Sequence, residues 1–468
     1  MVPAARVASQ PATARAVGIA TLPVAGVALG SLLAAAWYAR LLLTRDAGLA
    51  TFGYDQAFFQ QLVWNVDHGR WFISSFSTGS FLGLHFEPLL VVPAALELAW
   101  PDPRLLSLLA ALSIAALAPA AFLFLRSLTG RPGLAAVLAA PLPLWPALQE
   151  AARSSFHPET MGLGLALLAG WAALEGRSRF CWLCALLALG AKEDQAWNLL
   201  VVGLAVASLP ATRRIGRGLV VLALAWGVVV AGVLMPVLRA GHHLDTDNYY
   251  GWLLKTSPAS VLHALTLPAG WLAVGVLILC AGGLPLLRPA WLALAIPPLL
   301  ADLLSAHNPQ PLLHLQYALP LVLPLLVAAA IGARSIGPPS RLLPALAAAP
   351  LVLALAVGSL PPAFGANSGP FQRIAALDRL RACASDVPAA APVAADDPLT
   401  VPLASRPLVR ELTLAEPGDY LVVDRQARLP GYLVTTERDR ALRTGSGRPV
   451  LCDDGRFLVL GPVPAGGA

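Results

Sequence analysis

The chain has 468 residues, of which 57% are hydrophobic and only 12% charged, with a net charge of +6 and a mean hydropathy of +0.69. A soluble domain carries about twice that charged fraction, so the composition excludes a soluble enzyme and describes a polytopic membrane protein. Lys192 and Lys255 are the only lysines; the basic balance is arginine distributed by membrane topology, and no nucleic-acid partner is expected.

The stretch 16–38 carries no charge and exceeds a signal-peptide core, so it predicts a retained signal anchor. Arg6 and Arg15 precede it, which places residues 1–15 in the cytoplasm. The first span covers 16–43 and leads into a first external loop, 44–104. This loop concentrates Asp55, Asp67, His68, His85 and Glu87 in a chain otherwise poor in charge. Phe58, Phe59, Leu62, Val63 and Val66 recur at helical spacing and predict an amphipathic helix. Asp55 falls at its head and on its apolar side. Helix N-capping accounts for such an acid, and so does a site aimed into the protein. The segment 85–100 is apolar but stops at Pro101-Asp102-Pro103, which predicts an interfacial or re-entrant helix.

Further spans are expected over 105–125, 134–148, 160–174, 180–191, 196–209, 219–238, 267–287, 290–304, 312–331 and 342–360, about eleven in all. Arg126, Arg131, Arg177, Arg179, Arg213, Arg214, Arg217, Arg288, Arg334 and Arg341 then fall on the side of the N-terminus, with Arg40 and Arg45 as exceptions. The other side collects Asp55, His85 and Glu87, His157 and Glu159, Lys192-Glu193-Asp194, the loop His242 to Asp247, and His307 with His314. All eight histidines lie on that face. Solvation alone does not explain the asymmetry, because the cytoplasmic loops are equally wet; a polar cavity opening outward does.

After Pro361 the hydrophobic runs shorten and charges return. The stretches 392–395, 420–424 and 456–461 read as short strands, so 361–468 is expected to be a small soluble α/β domain outside the membrane. Cys383 and Cys452 both fall there and are expected to pair if the domain is external. Cys181 and Cys184 form a C-x-x-C inside an apolar span and read as core filler.

The clusters Asp55-Gln56 with Gln60 and Trp64, His85-x-x-Pro88, Phe156-His157-Pro158, Lys192-Glu193-Asp194, His314-x-x-Tyr317 and Asp419-Tyr420-x-x-x-Asp424 occur in an order that resembles a bacterial family of predicted multi-pass membrane proteins. That family is similar to a distant branch of the GT-C glycosyltransferases. The resemblance implies a GT-C-like transmembrane domain over 16–360 and a bacterial inner-membrane location. It implies a donor sugar on a polyprenyl phosphate held within membrane lipid, and an acidic residue just after the first span. Asp55 is the matching residue, as general base for the acceptor or in helping to bind a metal. Many relatives of this plan carry two acids there, whereas Tyr54 and Gln56 flank Asp55 here.

Moving a sugar from a lipid phosphate to a hydroxyl needs a base and compensation of the leaving phosphate's charge. Lys192 is placed for the phosphate; a structural ion pair with Glu193 or Asp194 is the competing role. Gln56, Gln60, His85, Glu87, His157, Glu159, Glu193, Asp194, His314 and Tyr317 complete the expected substrate-binding set, the last two on one helical face. Cofactor use is left open, with Asp55, His85 and His157 the only candidates for a divalent metal. The sequence has no phosphate loop, nucleophile elbow or zincin motif. Competing functions for the same cavity are a transporter or lipid carrier, and a non-catalytic binding protein of GT-C fold.

Overall fold

The computed structural model describes residues 14–239, 246–335, 343–372, 376–427, 436–444 and 447–464. Residues 1–13 of the expected cytoplasmic tail and His242, His243 and Asp245 lie outside the described residues, as does the Asp247 side chain.

Helix α1 (Ala14–Ala47) exposes Leu22, Leu29, Leu32 and Leu33 and buries Tyr38 and Leu42. An exposed all-apolar face suits lipid and not water. The first loop forms α2 (Gly53–Asp67) and α3 (Val91–Glu97). Helix α4 (Arg104–Thr129) runs inside the bundle and packs on α1 and on α7 (Glu159–Leu174). Between α4 and α7 the expected span 134–148 is broken. It becomes α5 (Pro132–Ala139), a 3-10 turn, and α6 (Pro146–Ser154). Pro141, Pro143 and Pro146 remove backbone donors and prevent one continuous helix.

Helices α8 (Ser178–Leu189) and α9 (Gln195–Ala207) flank the Lys192-Glu193-Asp194 turn. Helix α10 (Arg213–Val229) packs on α9, where a Cβ at Gly216 would overlap the Ala207 backbone. It widens into a π-helical turn and continues as α11 (Met235–Arg239). Pro236 has no N–H to complete a regular turn there. The short α12 (Thr246–Tyr250), α13 (Pro258–Leu265), α14 (Pro268–Cys280), α15 (Pro289–Leu292) and α16 (Ile296–Leu303) follow. Helices α17 (Leu319–Ala333) and α18 (Leu343–Val357) complete the bundle. Among the described residues, four helical stretches are long and apolar enough to cross a membrane, and seven more apolar helices are shorter, at 10–17 residues.

Helix α17 begins at Leu319, not at 312. Residues 311–318 form turns, with Leu313 and Leu315 at φ 54° and 59°. His314 and Tyr317 therefore do not share a helical face.

The C-terminal region folds on a five-stranded sheet: β1 (Val393–Ala395), β2 (Val409–Glu411), β3 (Tyr420–Asp424), β4 (Val450–Asp453) and β5 (Phe457–Leu460), in the order β2-β1-β3-β5-β4. β1 pairs in parallel with β2 and β3, whereas β5 is antiparallel to β3 and β4. Alternation along β3 and β5 sorts two cores. Val422, Phe457 and Val459 face α19 (Ala376–Cys383) and α20 (Asp397–Leu403), while Leu421, Val423, Leu458 and Leu460 face Leu412 and Ala441 of α21 (Thr436–Thr444). Cys383 and Cys452 form a disulfide from α19 to β4. The sequence pointed to β1, β3 and β5. β2 and β4 are three and four residues long, too short for an alternation signal.

Candidate functional site

Helix α2 carries Asp55 in its first turn, but Asp55 is not its cap. The N–H groups of Gly53 and Tyr54 donate to the carboxylate of Asp397, at 2.9 and 3.2 Å. A Cβ at Gly53 would overlap the Asp397 backbone, so only glycine permits this approach. With its helix end satisfied from another element, Asp55 is released to face elsewhere. No hydrogen bond to its carboxylate is formed among the described residues. Burial raises its pKa above the ordinary 3.8; His157, Lys192 and His85 oppose the rise and Glu159 adds to it.

The second part of the site comes from two helix starts. Helix α6 ends at Ser155, held at φ 128°, a conformation rare for any residue but glycine. The chain then swings so that the Phe156 N–H donates to Gln56 Oε1 at 3.0 Å, and His157 is buried edge-on against Phe59. Glu159 opens α7 and accepts from Lys192 Nζ at 2.6 Å. The partner of Lys192 is thus Glu159, not Glu193 or Asp194. Burial works against the Lys192 charge, but Glu159, Asp194, Glu193 and Glu87 outweigh it and hold the ammonium above its ordinary range. Glu193 instead accepts from the Phe86 N–H at 2.8 Å and meets His85 Nδ1 at 3.0 Å. Burial alone would raise Glu193, yet His85, Lys192 and the Phe86 N–H hold it down to about 2.

These groups line a cavity of about 640 Å³. His85, Glu159, Lys192, Glu193 and Asp194 form one polar wall. Arg239, Tyr249, Tyr250, Asp302, Gln310, Gln316 and Tyr317 form the other, and Ala231, Met235, Pro297 and Pro298 make an apolar flank. Asp55 sits beside this cavity: its charge acts on His307 and Tyr317, as those of His85, Glu159 and Lys192 act on it. Arg239 donates only to the Gly83 carbonyl, at 3.3 Å, and has no acidic partner among the described residues.

Several expected residues are not brought to the cavity. Gln56 is fully buried and holds the Phe156 N–H; Gln60 is buried on Glu97 (2.7 Å) and Ser405 (3.1 Å). Both tie α2 to neighbouring segments, which consumes the polarity that suggested substrate binding. Glu87 is 1% exposed and His157 is 4% exposed, behind the wall. His314 is exposed outside it, because the turn before α17 points it away. Asp55, His85 and His157 do not form a ligand set: His85 is engaged by Glu193, and among the described residues no three His, Cys, Asp or Glu side chains are grouped to hold a metal.

Arg239 and Asp302 were legible in principle. Arg239 is a further arginine at the wrong end of a span, and Asp302 is an acid inside an apolar segment. Tyr249, Gln310 and Gln316 carry no such signal.

A family model that spans most of the chain decides the family. The chain belongs to the DUF2079 family of predicted membrane proteins. That family's model matches residues 45–445, from the last turn of α1 through α21. No curated protein matches the sequence. Among solved structures, ArnT from Cupriavidus metallidurans bound to undecaprenyl phosphate aligns with a TM-score of 0.55 and 14% identity, over 96% of this chain and 99% of that chain. ArnT of the same organism in the apo state aligns with a TM-score of 0.41 and 14% identity, over 96% and 98%. The first alignment shows that this DUF2079 chain has the GT-C fold, with its small sheet domain included in the match.

Proposed function

We propose that this DUF2079 chain is a GT-C-like membrane glycosyltransferase that takes its sugar from a polyprenyl phosphate. The observation that carries the reading is Asp55: a carboxylate without a hydrogen-bond partner among the described residues, raised in basicity by burial and set beside a cavity lined by Lys192 and Arg239. The fold's likeness to ArnT bound to a polyprenyl phosphate supports the donor class.

In this reading the acceptor O–H attacks the anomeric carbon while Asp55 takes its proton. The bond from that carbon to the phosphate oxygen breaks, and its electron pair stays on the phosphate. Lys192 and Arg239 compensate that charge. Lys192 gives one donor to Glu159 and keeps two for a ligand. The apolar flank from the π-helical turn after α10, from α11 and from α16 receives the first isoprenoid units. Asp302, Gln310 and the tyrosines present the hydrogen-bonding groups a sugar needs. Among the described residues no group of His, Cys, Asp or Glu is placed to hold a metal, and the scheme uses none. The orientation that goes with this scheme is a cytoplasmic N-terminus and a site facing outward.

The test is Asp55→Asn in the full-length protein. Transfer to envelope glycan from a polyprenyl-phosphate sugar is expected to vanish while the protein still accumulates in the membrane. An unchanged glycan profile in that variant overturns the reading in favour of a lipid-binding protein without catalysis.

A further inference from the structure

A second cavity, of about 370 Å³, is lined by Arg45, Glu150, Phe52, Arg153 and Ser359, among others, and shares no lining residue with the reaction cavity. Arg45 stands in the last turn of α1 and is only 3% exposed. It is one of the arginines that positive-inside topology leaves unexplained. Its Nη1 donates to the carbonyls of Ala152 (3.3 Å) and Arg153 (2.8 Å), which close the end of α6. That accounts for one nitrogen. Nε and Nη2 meet no acceptor, and no carboxylate lies within ion-pair distance among the described residues. A neutral donor would cap α6 without the cost of burying a guanidinium.

The charges facing Arg45 make the deficit plain. Asp46, beside it in α1, offsets part of the Arg45 charge but forms no ion pair with it and accepts from Thr51. Arg153 is a second positive charge and is bound by Glu150 at 2.7 Å. Glu150 also accepts the Leu315 N–H at 3.0 Å. The wall therefore holds two guanidinium groups and one carboxylate. Its position is equally specific: α1 ends at Ala47 and α18 at Val357, so both apolar helices finish at this pocket. Its rim is apolar. Phe52 is 46% exposed, and Phe364, next to the lining residue Gly365, is 88% exposed. A positive pocket where membrane segments end, with an apolar rim, is matched to a headgroup above its acyl chains.

We infer that this pocket binds the phosphate of an anionic membrane lipid, with the guanidinium of Arg45 as the buried counter-charge and Arg153 at the mouth. Phosphate suits the planar fork of arginine. The inference stands on this pocket alone and does not depend on the activity assigned to the other cavity.

The test uses delipidated full-length protein in detergent and native mass spectrometry. Phosphatidylglycerol, phosphatidylcholine and inorganic phosphate are the probes. Wild type is expected to retain one phosphatidylglycerol in preference to phosphatidylcholine. Arg45→Gln and Arg153→Gln are expected to weaken that retention by about tenfold, the size of one lost charge-assisted contact. Glu150→Gln frees Arg153 and is expected to tighten it. Arg153 is 42% exposed at its side chain, so its variant is informative even where Arg45→Gln fails to fold. Equal retention by wild type and Arg153→Gln overturns the inference, as does a Glu150→Gln variant that binds less. Inorganic phosphate that binds as tightly as the lipid overturns the lipid assignment.

Discussion

Asp55 and Glu193 depart from ordinary carboxyl behaviour in opposite directions, and both departures are testable. Burial raises Asp55 above 3.8 in the folded chain. Between the unfolded and folded values the native state holds a proton that the unfolded state has released, so stability falls as pH rises through that window. Asp55→Asn removes this penalty. The variant is expected to unfold like wild type below pH 3.8 and at a higher temperature at neutral pH, as read by thermal unfolding in detergent, even as transfer is lost. Glu193 behaves the other way. Its folded value of about 2 lies below the ordinary 4.5, so its contribution is present above the unfolded value and disappears as pH falls toward 2. Glu193→Gln is expected to cost on the order of 2 kcal/mol at neutral pH and much less at the acid end. Equal losses at both ends would show that Glu193 acts by packing and not by charge. The sequence showed that Asp55 and Glu193 were odd residues in an apolar chain. It did not show that Phe86 and His85 engage Glu193, because that contact spans 108 positions.

At the scale of elements, α2 is held from both sides. Its apolar face packs Phe58, Phe59, Leu62 and Val63 into the bundle core. Its other side meets the sheet domain: Ala57 packs on Val401, Ala404 and Val409, Gln61 donates to the Arg406 carbonyl at 3.1 Å, and Asp397 caps the first turn. Asp397→Ala is expected to cost about 1 kcal/mol, the size of a lost helix cap, and to let Asp55 turn back onto its own helix end. Asp397→Asn keeps an acceptor and removes one of two neighbouring like charges, whose repulsion raises Asp397. It is expected to retain the fold and to shift the pH at which carbodiimide labels Asp55, followed by mass spectrometry, toward lower values. No shift in that midpoint would show that Asp397 is only a cap. The helical period of α2 was readable from Phe58 to Val66, and so was its amphipathic character. The capping partner was not, since Asp397 lies 344 positions away and nothing local marks it.

Across the whole molecule, the sheet domain is tied to the bundle by charge as well as by α2. Asp102 binds Arg104 at 2.7 Å and Arg381 of α19 at 2.9 Å. Burial opposes its charge, but those two arginines hold it down to about 2. The Cys383–Cys452 disulfide closes the domain across 69 positions. Cys383→Ser is expected to destabilise the sheet domain by about 2–4 kcal/mol, read as earlier proteolysis of the tail at a temperature that leaves the bundle intact. Cys181, Cys184 and Cys280 are buried and are expected to resist alkylation in the folded protein with or without reductant. Alkylation of Cys383 or Cys452 without reductant would contradict the pairing.

The amino-acid order by itself determined that this is a multi-pass helical membrane protein, where its apolar segments lie, that a sheet-bearing region follows Pro361, and which rare charged residues deserved notice. Those properties are local: hydropathy, period and composition are averages over neighbouring residues. Only the tertiary structure decided which charges meet. It paired Lys192 with Glu159, withdrew Gln56 and Gln60 into helix contacts, turned His314 outward and brought Arg239 and Asp302 to the cavity. The physical reason is that a charge in an apolar bundle is satisfied by whatever the packing of helices places against it, and that placement depends on breaks such as Ser155 and the turns before α17.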